Sequence, residues 1–181
     1  MRVIGGLAKS RKVKMNNNLA IRPISDRVKQ SLFEILKYDI REAVFLDLFA
    51  GSGSVGIEAL SRGAREAVFV DNNEKCTRLI RENLKNLGFT SAEVINSDAC
   101  RALEILSKKE KKFLLIFFDP PYELGFVKNI LKKLETSDIL NENGVVIVKR
   151  HKKEVLETSM QLVKERFYGD TVLSFLKYTI K

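Results

Sequence analysis

The 181-residue sequence has no tryptophan, three prolines, two cysteines and a single histidine. Cys76 and Cys100 stand far apart with only His151 to join them, which excludes a Cys/His zinc cluster and gives no reason to expect a disulfide. No run of about 18 apolar residues exists, so a membrane-spanning helix is excluded. The basic N-terminus is not followed by an apolar signal-peptide core, and a cytoplasmic protein is expected. Internal repeats, low-complexity tracts and linkers are also absent. What remains is 45% hydrophobic and 30% charged. That is a globular composition, long enough for one α/β domain with a real core and too short for two.

Acidic residues are scarce, 23 against 32 Lys and Arg, for a net charge of +9. The deficit is local. Residues 1–41 hold ten basic side chains (Arg2, Lys9, Arg11, Lys12, Lys14, Arg22, Arg27, Lys29, Lys37 and Arg41) and only Asp26, Glu34 and Asp39 against them. A lysine-rich soluble surface would spread its charge evenly; this asymmetry points to a polyanion bound through its phosphates. Arg2, Lys9, Arg11, Lys12, Lys14, Arg22 and Arg27 are the candidate nucleic-acid contacts.

Periodicity divides the chain further. Residues 1–24 have no helical period, and Gly5-Gly6, Asn16-Asn17-Asn18 and Pro23 predict an extended arm with a short hairpin. Ser25 caps a predicted helix from Asp26 to about Tyr38, with Val28, Leu32, Ile35 and Leu36 on one face and Arg27, Lys29 and Glu34 on others. Apolar runs at Val44–Leu48, Ala67–Val70, Ala92–Asn96, Phe113–Phe118 and Val145–Val148 alternate with helical patterns, and Leu162–Tyr168 and Thr171–Thr179 read as a hairpin. The fold class is therefore α/β: a doubly wound, mostly parallel sheet with a C-terminal antiparallel hairpin. Residues 1–41 form a basic arm and helix packed on a domain of residues 42–181. Lys108–Lys112 is read as a solvated loop first and a phosphate contact second.

Val44-Phe-Leu-Asp-Leu-Phe-Ala-Gly-Ser-Gly-Ser-Val-Gly56 is a strand running into a glycine turn and then a helix, the first half of a nucleotide-binding unit. Gly51, Gly53 and Gly56 fit either a dinucleotide or S-adenosylmethionine (SAM). Asp47 discriminates, because a carboxylate at this turn repels a pyrophosphate and suits the cationic methionine end of SAM. Asp71 ends the second strand, where a carboxylate takes ribose hydroxyls. Asp98 follows the third strand and can accept from the adenine amine. Four acids at strand ends (Asp47, Asp71, Asp98 and Asp119) exceed what helix capping would explain.

Asp119-Pro-Pro-Tyr122 is the sharper motif. The prolines remove two backbone donors and leave an acceptor-only cluster, suited to the two hydrogens of an amine on a planar ring, with Tyr122 as a stacking face. The four residues resemble motif IV of amino-group methyltransferases, and Asp47–Gly56 resembles their motif I. Arg2-Val-Ile-Gly-Gly6, Arg22-Pro-Ile-Ser-Asp-Arg-Val-Lys29, Asp47–Gly53, Ala59-Leu-Ser-Arg-Gly-Ala64 and Asp119–Tyr122 together resemble the RsmD family, over nearly the whole chain. Ile24 departs from it, since that family usually carries Thr there.

The resemblance implies a Rossmann-like SAM-dependent fold, SAM as methyl donor and no metal. It also implies methylation of a guanine N2 in bacterial 16S rRNA (position 966 in the usual rRNA numbering); an assembled or partly assembled small subunit is the expected substrate and a monomer the expected form. It assigns Asp119, Pro120 and Tyr122 to catalysis, and Asp47, Phe49, Gly51, Gly53, Gly56, Asp71, Asn72, Asp98 and Ala99 to the cofactor. With no RNA-reading module in the chain, selectivity would come from shape, the base being flipped between Tyr122 and the arm. His151, set among Lys149, Arg150, Lys152 and Lys153 at a strand exit, is read as a phosphate contact or solvated group rather than a catalytic base. Competing readings are an NAD-linked oxidoreductase, an adenine-N6 methyltransferase, and a non-catalytic assembly factor that keeps SAM as a structural ligand.

Overall fold

The computed structural model describes residues 1–15, 24–121 and 125–178. Arg22 and Tyr122 lie outside the described residues. Among the described residues seven strands, β1 (Val44–Leu48), β2 (Glu66–Asp71), β3 (Ala92–Asn96), β4 (Phe113–Phe118), β5 (Leu140–His151), β6 (Gln161–Tyr168) and β7 (Thr171–Lys177), form one sheet in the order β3-β2-β1-β4-β5-β7-β6. β3 through β5 are parallel, and β7 enters antiparallel between β5 and β6. The chain winds outward from β1 to β3, then crosses back to β4, so a crevice opens where β1 and β4 diverge.

Side chains on a strand alternate between faces. Phe45, Phe69, Leu115, Phe117 and Ile147 form one core with α1 (Asp26–Ile35), α2 (Ser54–Ser61) and α3 (Glu74–Leu87). Leu46, Leu48, Val68, Val70, Ile116, Phe118, Val146 and Val148 form the other, against α4 (Ala99–Lys108) and α5 (Phe126–Ser137). With both faces covered, the central strands are apolar throughout, which makes them visible as short runs. Ser25 caps α1 at Val28 N, Asn73 caps α3 at Lys75 N, and Gly88 ends α3 in a left-handed turn.

The arm is a folded hairpin as far as residue 13. Arg2 bridges Lys12, Val3 N donates to Arg11 O (3.0 Å), and Val3, Ala8 and Val13 are buried. It lies against the C-terminal half of α2 and along α3. The Arg11 guanidinium donates to Leu87 O and Asn86 O, satisfying carbonyls at the end of α3, and Lys14 pairs with Glu82.

Three expectations are corrected. Lys29 is not on an outer face of α1. It is fully buried and points at Glu58 of α2 (3.8 Å), because the arm covers a side that would otherwise be open. Strand β5 does not stop at Val148 but runs to His151. Lys149 and Arg150 are therefore buried strand residues, Arg150 binding Glu165 (2.6 Å) and Ser174 (3.0 Å). The Lys108–Lys112 run is not simply solvated, since Lys109 and Lys111 bind Glu93, Lys111 also binds Glu66, and Lys112 binds Asp138. A smaller difference is that α1 ends at Ile35, short of the expected Tyr38.

Candidate active site

The loop between β1 and α2 builds the crevice. Phe49 N and Ala50 N both donate to Val70 O, folding the loop back over β2 (3.0 and 2.8 Å). Phe49 adopts a positive φ of 76°, a strained conformation for a bulky residue and of the kind found beside ligand sites. Its ring meets Phe126 edge-on at 6.2 Å. Gly56 sits where α2 crosses β2, and a Cβ there would lie 2.3 Å from the Phe69 ring. Only glycine lets the helix come down far enough for its N-terminus to frame the crevice.

The carboxylates that end the strands hold this frame together. Asp47 accepts from Gly56 N (2.9 Å), Asp71 from Gly51 N (2.8 Å) and Asn73 N (2.9 Å), and Asp98 from Arg101 N as the cap of α4 (3.0 Å). Capping and ligand binding are therefore not alternatives here. Each carboxylate has about four acceptor sites, and the backbone takes one or two of them.

A cleft of about 300 Å³ opens beside them, lined by Phe49, Val70, Asp71, Asn72, Ser97, Asp98, Ala99, Cys100, Phe126, Asn129 and Ile130. Five expected cofactor residues, Phe49, Asp71, Asn72, Asp98 and Ala99, come together in that one lining. Gly51 and Gly53 belong to the loop above it, and Asp47 lies buried beneath the turn. Phe126, Asn129 and Ile130 are additions that no motif marks. They arrive from the first turns of α5, and their only sequence signal is their place just after the Asp119–Tyr122 segment. The donor set fits an adenosine-type ligand, with acceptors at the ends of β2 and β3 and an apolar wall from Val70, Phe126 and Ile130.

Charge is concentrated at the mouth of the crevice. The Asp47 carboxyl is pushed up to about 7, first by burial, against the pull of the Gly56 amide, with the negative charges of Asp119 and Asp71 adding to the rise. Beside it Asp119 leaves the end of β4, followed by buried Pro120. Asp119 is not the open acceptor pair that the motif predicts. Lys149 Nζ lies 2.7 Å from both its oxygens. Burial raises the Asp119 carboxyl above its ordinary range, and the Lys149 ammonium pulls it back. His151 is part-buried, its Nδ1 accepting from Lys153 N (3.1 Å).

Residues 1–177 match the family model described as "Conserved hypothetical protein 95". The chain belongs to this family. Among its relatives, YlbH of Bacillus subtilis, whose name assigns it provisionally to the rRNA methyltransferases, is 39% identical over 98% of both chains. Ribosomal RNA small subunit methyltransferase D of Haemophilus influenzae is 34% identical, covering 98% of this chain and 93% of its own. The solved yhhF of Escherichia coli, described as a candidate methyltransferase, superposes with a TM-score of 0.88 at 31% identity over 98% of both chains. The fold is the Rossmann-like methyltransferase fold that the sequence motifs imply.

Proposed function

We propose that the chain transfers a methyl group from SAM to the exocyclic N2 amine of a guanine in small-subunit rRNA. The observation that carries this reading is Asp119-Pro120 at the end of β4, beside a cleft whose lining suits adenosine, in a chain whose relatives are named for rRNA methylation. Asp71 and Asn72 would hold the ribose, and Asp98 and Ala99 the adenine edge. Phe49 would flank the adenine, Asp47 with Gly51, Gly53 and Gly56 would face the methionine end, and Tyr122 would stack on the target base.

When bound, SAM supplies an electrophilic methyl group on a sulfonium. The guanine N2 lone pair is delocalised into its ring and needs orienting. Asp119 and the Pro120 carbonyl accept the two N2 hydrogens, turn the lone pair toward the methyl group and stabilise the positive charge that develops on nitrogen. The nitrogen becomes acidic as it alkylates and releases one proton.

RNA would be held by exposed Arg2, Lys9, Lys12 and Arg27, and by Arg22. Arg11 and Lys14 also anchor the arm to α3, so their replacement disturbs folding and binding together. The test supplies labelled SAM with naked small-subunit rRNA, assembled subunits or a short hairpin, and maps the methylated nucleotide. A single guanine N2 in the ribonucleoprotein, with poor use of the hairpin, is the expected result; methylation of adenine N6 would refute it. Replacing Lys9, Lys12 and Arg27 by Ala should lower RNA affinity and reduce its salt slope by about one for each phosphate no longer neutralised, with SAM affinity unchanged.

The Asp47 carboxyl gives this reading a pH signature. A cationic methionine end binds the ionised form better than the neutral acid. Because the free protein holds Asp47 at about 7, binding below that pH must expel a proton. SAM affinity should therefore rise with pH up to about 7 and then level, approaching tenfold per unit on the acid side. Asp47→Asn, which keeps an acceptor for Gly56 N, should bind SAM more weakly and without that slope. Calorimetric affinities that are flat from acid to neutral pH would count against Asp47 facing the ligand.

A further inference from the structure

The sequence sets Lys149 in a basic strand exit, and the structure puts it elsewhere. In the β4–β5 ladder Phe118 stands opposite Val148, so one step further Asp119 stands beside Lys149. The contact is thus dictated by the sheet's register rather than by a mobile surface side chain. Both side chains are largely enclosed, 8% exposed for Lys149 and 17% for Asp119. The ammonium bridges both carboxylate oxygens at 2.7 Å.

This geometry addresses a difficulty in the proposed chemistry. A carboxylate taken out of water tends to protonate, and a protonated Asp119 would offer one O–H donor where the target amine needs acceptors. A second acid makes matters worse, because the charges of Asp119 and of buried Asp47 on β1 oppose each other. Lys149 from β5 is the compensating cation. It takes one acceptor site on each oxygen and leaves the carboxylate others for the incoming amine. A two-point grip also stops the carboxylate rotating about its Cβ–Cγ bond.

We propose that Lys149 is a positioning residue for methyl transfer, keeping the Asp119 carboxylate charged and fixed in rotation so that it can receive the target amine. This rests on the function proposed above, and the experiment separates the two. Single-turnover methylation of the rRNA substrate is measured at saturating SAM from acid to neutral pH. The proteins compared are the wild type, Lys149→Met, Lys149→Arg and Asp119→Ala.

Activity requires ionised Asp119 and is lost as pH falls through its titration. Without the ammonium that titration moves upward. Lys149→Met should therefore shift the acid limb up by about one to three pH units. At neutral pH it should be slowed about tenfold or more, with SAM affinity kept. Lys149→Arg, which retains a cation able to grip both oxygens, should recover most of the rate and return the limb toward its wild-type place.

A folded Lys149→Met protein with the wild-type rate and limb overturns the role of Lys149. Should that variant fail to fold, carbon NMR of labelled aspartate in the wild-type protein decides: Asp119 ionised at neutral pH supports the role, and Asp119 protonated there overturns it. An Asp119→Ala protein with undiminished turnover removes the reading of the site itself. Loss in Asp119→Ala with no change in Lys149→Met removes only Lys149.

Discussion

Asp119→Ala is expected to lower the single-turnover rate of methyl transfer by about a hundred- to a thousandfold while SAM still binds. The magnitude is that of removing one preorganised group aimed at charge that develops only in the transition state. Selective loss is expected because the cleft that would hold the nucleoside is lined from the ends of β2 and β3 and from α5, without Asp119. Truncation also leaves the Lys149 ammonium without its carboxylate, so Asp119→Asn is the useful companion. It keeps one acceptor oxygen and loses the charge, and should fall between wild type and Ala. Equal turnover by wild type and Asp119→Ala would show that Asp119 takes no part in the transfer, and no turnover by the wild type on any of the rRNA substrates would favour a SAM-binding assembly factor.

The second large effect is on stability and lies at the other end of α2. Glu58 is fully buried and is the anchor of the arm. Its carboxylate accepts from Ile4 N and Gly5 N, both at 2.8 Å, and from Arg62 Nε at 2.8 Å, with Lys29 at 3.8 Å. One turn on, Ser61 accepts from Ala8 N through its hydroxyl and from Leu7 N through its carbonyl. Gly6, at a φ of 75°, passes so close that a Cβ would lie 1.8 Å from the Ser61 carbonyl oxygen.

Glu58→Ala would orphan two arm amides and leave buried Lys29 without its acid, a loss of about 3–5 kcal/mol. Lys29→Met should cost far less, under about 1.5 kcal/mol, because Glu58 keeps three donors and the ammonium is already disfavoured by burial, which lowers its pKa. Urea unfolding of the two variants tests the asymmetry. Equal losses would mean that the arm is not hung on Glu58.

The same junction also explains a sequence pattern. Arg2–Gly6 and Ala59–Ala64 are more than fifty residues apart yet meet there, the glycines shaped to the end of α2 and Ser61-Arg62 shaped to the glycines. The arm then runs along α3, where the Asn83 side-chain amide donates to Lys14 O (3.1 Å) and Ser52 O (3.4 Å). The segment expected to meet RNA and the glycine loop of the cleft therefore share one side chain.

The sequence by itself determined the order of strands and helices, the acids gathered at the strand ends, and five of the eleven residues that line the cleft. Those features depend on local signals: apolar runs buried on both faces, Ser25 and Asn73 as caps, glycines at the turn, and acids where strands end. Tertiary structure alone decided which charges face inward. Lys29, Lys149 and Arg150 read as surface residues because their partners, Glu58, Asp119 and Glu165, are distant in sequence and the register of neighbouring strands or the docking of the arm brings them together. Phe126, Asn129 and Ile130 were hidden for the same reason, since the packing of α5 on the sheet, not any motif within it, turns them into the cleft. An ion pair between elements carries no periodic signature, and burial is a property of the assembled layers rather than of the residue.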